Sequence, residues 1–234
     1  MRPDPDSSGC LFLVATPIGN LGDLSARASC TIKDCDIIAC EDTRVSSKLL
    51  NHLKLRIPMV SYREENEKKK SQEIALEIEG GKKVALLSDA GYPCISDPGF
   101  RLVRECHARK LKIIPIPGPN AALTALAASG LPTHQFAFIG FLPKKSGQVK
   151  KTLQFWQDFD GSVILYESKY KIEKTLSAIC ETLGPERYVC LARELTKSYE
   201  SIFSGPIEMV IQEQSQSSGK GEFTLVIGPS DYTF

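Results

Sequence analysis

Lys83-Val84-Ala85-Leu86-Leu87-Ser88-Asp89-Ala90-Gly91-Tyr92-Pro93-Cys94-Ile95-Ser96-Asp97-Pro98-Gly99 passes from an apolar strand into a loop with two Ser-Asp pairs, two glycines and two prolines. A helix follows from about Gly99, with Leu102, Val103 and Cys106 on one face. A short apolar run ending in such a loop and then a helix is the unit of an open parallel sheet, in which ligands sit beyond the carboxyl ends of the strands. Glycine lets the backbone come close to a ligand, proline stiffens the turn, and the carboxylates can meet hydroxyls or a cation. That much specialised backbone predicts ligand binding rather than a plain connection.

The same alternation extends in both directions. Strands are predicted at Cys10–Ala15, Asp36–Cys40, Pro58–Ser61, Lys83–Leu87 and Lys112–Ile116, and helices at Leu24–Lys33, Val45–Leu53, Glu65–Glu79 and Phe100–Lys110. This pattern argues for a parallel sheet covered by helices. Beyond Pro115-Ile116-Pro117-Gly118-Pro119 the texture changes. Asn120–Ser129 reads as a nearly all-apolar helix buried on every side. Strands are then expected at Phe136–Phe141, Ser162–Tyr166, Tyr188–Arg193, Tyr199–Phe203 and Glu222–Ile227, with the clearest helix marked by Ile172, Leu176, Ile179, Cys180 and Leu183, and a polar loop at Gln214–Gly221. Short connections among these strands predict a mixed sheet. The expected organisation is a flexible tail over 1–9, an N-terminal α/β domain over 10–116 with a mainly parallel sheet, and a C-terminal α/β domain over 117–234 with a mixed sheet.

Composition narrows the class. The 234 residues, 42% of them hydrophobic, suffice for one large or two modest cores. No apolar run approaches the ~18 residues of a membrane span, and Met1–Gly9 lacks the apolar centre of a signal peptide. A cytoplasmic protein without membrane attachment is expected. The eight cysteines include no C-x2-C pair, so buried thiols rather than a metal site are predicted. The net charge of +1 neither demands nor excludes a polyanion, but Lys68-Lys69-Lys70, Lys82-Lys83, Lys144-Lys145 and Lys150-Lys151 form local basic clusters.

Polar or Gly/Pro-rich segments end each of the first five strands. Thr16-Pro17-Ile18-Gly19-Asn20-Leu21-Gly22-Asp23 follows the first, with Asp23 as the expected helix cap. Glu41-Asp42-Thr43-Arg44 follows the second, about 20 residues after Gly22, where an acid commonly meets ribose hydroxyls in dinucleotide folds. Asp42 or Thr43 could equally cap the next helix. Tyr62–Asn66, Ser88–Gly99 and Pro117–Ala122 end the other three. The residues alone support a nucleoside-cofactor site and leave NAD and S-adenosylmethionine both open.

The ordered motifs ATPIGNLGDLS, ACEDTR, LLSDAGYPCISDPG, IPGPNAALTALAASGLP, GFLPKK, LYES, LARELTK and GEFTLVIG span Leu11 to Ile227 in outline. They resemble the tetrapyrrole-methylase superfamily of S-adenosylmethionine-dependent methyltransferases, and within it the branch that methylates a cytidine ribose 2′-hydroxyl in the decoding region of 16S rRNA. The resemblance implies a homodimer, a small-ribosomal-subunit substrate, no metal, and a cofactor cleft between the domains. Carried over by position, the cofactor contacts are Pro17, Ile18, Asp89, Ala90, Tyr92, Ile95, Ala121, Ala122, Tyr166, Ala192 and Thr224. A ribose hydroxyl needs help to lose its proton. Glu41, Asp42, Arg44, Glu167, Arg193, Glu194 and Lys197 are the candidates, a carboxylate taking the proton and Arg44 or Lys197 steadying the alkoxide or a phosphate. Relatives in that branch often carry a further basic C-terminal helical domain, whereas this sequence stops at Phe234. Methylation of a tetrapyrrole or other small molecule, and nucleotide binding without catalysis, are the alternative expectations.

Overall fold

Strand β1 (Cys10–Val14) is central to the first unit of the chain because every one of its residues is apolar and can be buried on both faces. It pairs in parallel with β4 (Lys83–Leu87) on one side and β5 (Lys112–Ile116) on the other. β2 (Ile37–Cys40) joins β4, and β3 (Met59–Ser61) joins β2, giving a five-stranded parallel sheet in the order β3-β2-β4-β1-β5. The computed structural model describes residues 9–217 and 219–233. The expected tail, Gly9 apart, lies outside the described residues.

Alternation along the strands sorts the core into two layers. Val14, Ala85 and Leu87 pack with Ala28 and Ile32 of α1 (Ala26–Lys33) and Leu49 and Leu50 of α2 (Thr43–His52). Leu11, Val84 and Leu86 pack on the other face with Ile74 and Ile78 of α3 (Glu67–Glu79) and Leu102 and Cys106 of α4 (Phe100–Ala108). The connections through α1 and α2 step one way along the sheet and those through α3 and α4 step the other way. Right-handed crossovers then require the two helix pairs to lie on opposite faces, as observed. α1 is capped by Ser25, whose hydroxyl accepts from Ala28 N at 3.0 Å. The expected cap, Asp23, instead closes a short 3-10 turn that Asn20 starts by accepting from Gly22 N.

The chain divides after Asn120. In the second unit the sheet order is β6-β7-β10-β8-β9, built from Phe136–Phe141, Ser162–Ser168, Glu222–Ile227, Tyr188–Arg193 and Ser201–Pro206. Only the β6–β7 pair is parallel, and the mixed sheet expected from the short connections is present. α6 (Ser146–Trp156), α7 (Ile172–Leu183) and α8 (Ile207–Gln216) cover one face through Leu153, Leu176, Ile179 and Val210. α5 (Ala121–Ala128) packs on β7 and β10.

Three expectations are corrected here. α5 is not buried on every side: Ala122, Ala125 and Leu126 are buried, but Leu123 is 50% exposed. α8 runs through Gln214 to Gln216, into the expected polar loop, because Val210 and Gln214 are buried on one face of a continuing helix. β9 starts at Ser201 rather than Tyr199, since Tyr199 precedes the pairing of Arg193 with Ser201.

Candidate functional site

The loops at the carboxyl edge of the first sheet are joined to one another. Thr16, just beyond β1, and Gly91, beyond β4, form an antiparallel bridge in which each N–H donates to the other's carbonyl, at 2.8 and 3.1 Å. The Thr16 hydroxyl donates to Ser88 O at 3.1 Å, and the Ser88 hydroxyl to Gly91 O at 3.0 Å. Asp42 N, beyond β2, donates to the Asp89 carboxylate at 3.1 Å, and Arg63 Nε, beyond β3, to Glu41 O at 3.1 Å. The end of the β4 loop is fixed from beneath. The buried Glu67 carboxylate accepts from Gly99 N at 3.0 Å, Arg101 N at 3.2 Å and Tyr62 Oη at 3.1 Å, capping α4. Gly99 takes φ 144°, and a Cβ there would lie 2.5 Å from Cys94 Sγ and 2.8 Å from Leu86 Cδ2. Cys94 and Ser96 also have positive φ, at 73° and 65°. Such strain persists only where the surroundings hold it, and it gathers at binding loops.

Carboxylates concentrate on this edge. Burial raises the Glu41 carboxyl above its ordinary range, with the Asp89 charge adding to it. Burial also raises Asp89, against the hydrogen bond from Asp42 N. Asp97 is pushed up to about 7 by burial and then by the charge of Glu41, with Ser88 and Asp89 as further neighbours. Like charges held close in a poorly solvated place resist ionisation together, and a cation would relieve them. Asp42 differs. Its hydrogen bonds with Arg44, the shortest 2.6 Å, hold its carboxyl well below the usual range while it caps α2 through Arg44 N. Arg44 is thus paired, although its side chain is 85% exposed.

Among the expected cofactor residues, Ile18 is buried, Pro17, Asp89 and Tyr92 are half-buried, and Ala90 and Ile95 are exposed. Burial raises the Tyr92 phenol. Sequence reading passed over Asp97 and Arg63 as site residues. Asp97 belongs to the second Ser-Asp pair of the quoted loop and Arg63 to the polar segment after the third strand, which were the available signals.

In the second unit, Tyr166, Thr224 and Ala192 form one row across β7, β10 and β8, since Thr224 is the register partner of both others. Strand alternation puts this row on the face opposite Leu165, Leu225 and Leu191, which join the core beneath α6 to α8. Tyr166 Oη accepts from Ala122 N at 3.3 Å, which ties the row to the start of α5. Phe138 and Phe141 both meet the Tyr166 ring edge-on, at 4.9 and 5.8 Å. A bulge between them puts both phenylalanines beside one tyrosine.

The remaining acid–base candidates are engaged locally. Glu167 is buried and accepts from Ser168 N at 2.7 Å and the Thr175 hydroxyl at 2.8 Å. Lys197 bridges Glu194 at 2.9 Å and Glu222 at 2.8 Å. Burial opposes the charge of Lys197, but the hydrogen bonds to Glu222 and Glu194 prevail and raise its pKa. Glu194, likewise burdened by burial, is lowered by its bonds to Lys197 and Glu222 N. Among the described residues no group of three His, Cys, Asp or Glu is placed to hold a metal ion.

Comparison with known proteins agrees with this architecture. The family model described as Tetrapyrrole (Corrin/Porphyrin) Methylases matches residues 10–211. A protein named ribosomal RNA small subunit methyltransferase I from Halalkalibacterium halodurans is 45% identical over 222 residues, 95% of this chain and 76% of that protein. The protein of the same name from Synechocystis is 43% identical over 219 residues, 94% of this chain and 78% of that one. The X-ray structure of a cobalt precorrin-4 methyltransferase, a cobalamin biosynthetic enzyme, superimposes with a TM-score of 0.72 at 13% identity over 97% of this chain and 98% of that one. The family model and these relatives mark the chain as a methyltransferase that uses S-adenosylmethionine as its methyl donor. More particularly, the chain belongs to the tetrapyrrole methylase family, as its motifs implied.

Proposed function

We propose that the protein transfers the methyl group of S-adenosylmethionine to the 2′-hydroxyl of a cytidine ribose in the decoding region of 16S rRNA. A small-subunit rRNA acceptor is supported by the names of relatives 45% and 43% identical over nearly the whole chain, and the cytidine 2′-hydroxyl by the resemblance of the motifs. The observation that carries the donor site is the convergence of Glu41, Asp89 and Asp97 on loops tied together at one sheet edge. These residues fit the donor. Three carboxylates that resist ionising alone suit a ligand with a cationic sulfur and an ammonium group, and the bridged main chain from Ser88 to Gly91 leaves little to reorganise on binding.

In this reading Pro17, Ile18, Asp89, Ala90, Tyr92 and Ile95 hold the donor in the first unit. The resemblance adds Ala121 and Ala122, small enough to admit an adenosyl group, with Tyr166, Ala192 and Thr224. S-adenosylmethionine, when bound, supplies an electrophilic methyl on sulfur. What the chain adds is orientation of the hydroxyl in line with it, removal of the proton and exclusion of water. Glu41 is assigned the proton. Its pKa is raised, and no hydrogen bond to its carboxylate is found among the described residues, whereas Glu167, Glu194 and Lys197 are held by neighbours. Arg44, exposed beside Asp42, is placed to meet a phosphate. A homodimer working in the cytoplasm, as the family resemblance implies, belongs to the same proposal.

The test is transfer of labelled methyl groups to purified small subunits, free 16S rRNA and tetrapyrrole precursors in parallel. Label in RNA alone is expected. Label only in a tetrapyrrole would overturn the assignment of the acceptor.

A further inference from the structure

The structure separates four lysine clusters that look alike in the sequence. On α3, Lys69 and Lys70 pair with Glu73 at 3.7 and 2.5 Å, and Lys82 pairs with Glu77 at 2.6 Å. In those clusters Lys69, Lys70 and Lys82 have partner acids, while Lys68 and Lys83 form no ion pair among the described residues. Lys144, Lys145, Lys150 and Lys151 are all exposed and make no ion pair among the described residues. Residues 142–157 contain no Asp or Glu at all.

Lys144 and Lys145 sit where a second set of groups also faces out, and Lys150 and Lys151 follow them one to two turns along α6. β6 and β7 are adjacent and parallel, so the β6–α6 loop with Lys144 and Lys145 and the β7–α7 loop with Lys169 and Tyr170 leave the same sheet edge. Lys169 Nζ lies 5.0 Å from the centre of the Tyr170 ring, and that ring side chain belongs to a residue 80% exposed. Of the acids nearby, Glu167 is buried and hydrogen-bonded within its own loop, Glu222, the register partner of Ser168, and Glu194 are both paired with Lys197, Glu173 lies in the first turn of α7, and Asp158 and Asp160 follow the far end of α6. The edge therefore presents spaced, unpaired ammonium groups with one exposed ring among them. Phe141, three residues before Lys144, packs on Tyr166, so this rim is continuous with the row assigned to the donor.

We propose that Lys144, Lys145, Lys150, Lys151, Lys169 and Tyr170 form the docking surface for the RNA substrate, the lysines holding phosphates and Tyr170 stacking on an unpaired base. The chemistry is that of single-stranded RNA recognition, which combines a basic track with aromatic platforms. An acidic protein would use the charges but leave the exposed ring without a role. The proposal rests on the reading of an RNA acceptor and adds which surface meets it.

The experiment measures binding of a fluorescent single-stranded RNA from the small subunit by anisotropy over a range of salt. The full chain is compared with Lys144→Ala/Lys145→Ala, Lys150→Glu/Lys151→Glu, Tyr170→Ala and a control, Lys69→Ala/Lys70→Ala. S-adenosylmethionine affinity is measured for each as a check on folding. Each α6 double variant should lose about tenfold or more in RNA affinity and reduce the salt slope by roughly 0.7 for each phosphate that is no longer neutralised. Tyr170→Ala should weaken binding with little change in slope. The control should stay within about twofold, and methyl-donor affinity should be unchanged throughout. RNA binding equal to that of the unaltered protein in the α6 variants, an equal loss in the α3 control, or an unaltered protein that binds an acidic polypeptide but no RNA would each overturn the proposal. Transfer assays keep the two readings distinct. RNA methylated at an undiminished rate by the α6 variants removes the docking surface and leaves the acceptor, while RNA bound through α6 but never methylated does the reverse.

Discussion

Asp97 ties the electrostatics of the β4 loop to a measurable stability. Its carboxyl is pushed up to about 7 by burial and by the neighbouring charge of Glu41, whereas in the unfolded chain it returns to about 3.9. The folded state thus prefers the protonated form. The resulting stability is complete below the unfolded value and is lost as pH rises through about 7. Between about pH 6 and pH 8 the unfolded carboxyl is ionised throughout, while the folded one goes from about nine-tenths protonated to about one-tenth. The loss over that interval is about 1.4 kcal/mol, one factor of ten. Urea denaturation of the ligand-free protein at the two pH values, compared with Asp97→Asn, isolates this increment, because other titrating groups are common to both. The variant should lose about 1.4 kcal/mol less than the unaltered protein on going from pH 6 to pH 8. Equal losses in the two proteins, or a larger loss in the variant, would refute the placement of Asp97 among poorly solvated carboxylates.

Glu67→Ala removes the acceptor for Gly99 N, Arg101 N and the Tyr62 hydroxyl. With bonds to a charged group worth roughly 1.5–3 kcal/mol each and not fully additive, a cost of at least about 3 kcal/mol is expected. It should appear as faster hydrogen exchange at the amides opening α4, and unchanged exchange there would contradict the cap. Gly99→Ala should cost at least about 2 kcal/mol, from the positive φ and the close approach of Cys94 and Leu86, and a thermal midpoint equal to that of the unaltered protein would count against it. Asp89→Ala should weaken S-adenosylmethionine about tenfold or more by calorimetry, since it removes one carboxylate facing a cationic ligand. Unchanged affinity would exclude Asp89 from the donor site.

The first unit was legible because its signals are local. Each strand is a short apolar run such as Lys83–Leu87, and each ends in glycine, proline or a carboxylate within a few residues. The loop from Ser88 to Gly99 could be recognised from composition, but the charge of Glu41, which adds to burial in raising Asp97, comes from another strand end. In Asn120–Ser129 nearly every residue is apolar, so no period marks which side meets the sheet, and the exposure of Leu123 was invisible. The helix through Gln214 was missed for the opposite reason. Its glutamines favour a helix and its serines less so, but the Ser/Gly-rich stretch that follows reads as a loop, and packing of Val210 and Gln214 decides. The row of Tyr166, Thr224 and Ala192 spans strands far apart in sequence, so only strand register brings them together. Family resemblance supplied those residues; spacing could not. The difference between the lysine clusters was present in the sequence, since 142–157 lacks acids whereas Glu73 and Glu77 lie within five residues of their partners, and the structure shows which pairs form.

The most direct measurement is nucleoside mass spectrometry of 16S rRNA from small subunits incubated with S-adenosylmethionine and either the unaltered protein or Asp89→Ala. The account predicts one 2′-O-methylated cytidine per subunit, mapping to the decoding region, with the unaltered protein, and little or none with the variant. A methyl on a base, a methyl on another nucleotide, or unmodified RNA beside a donor that is demonstrably bound would contradict it.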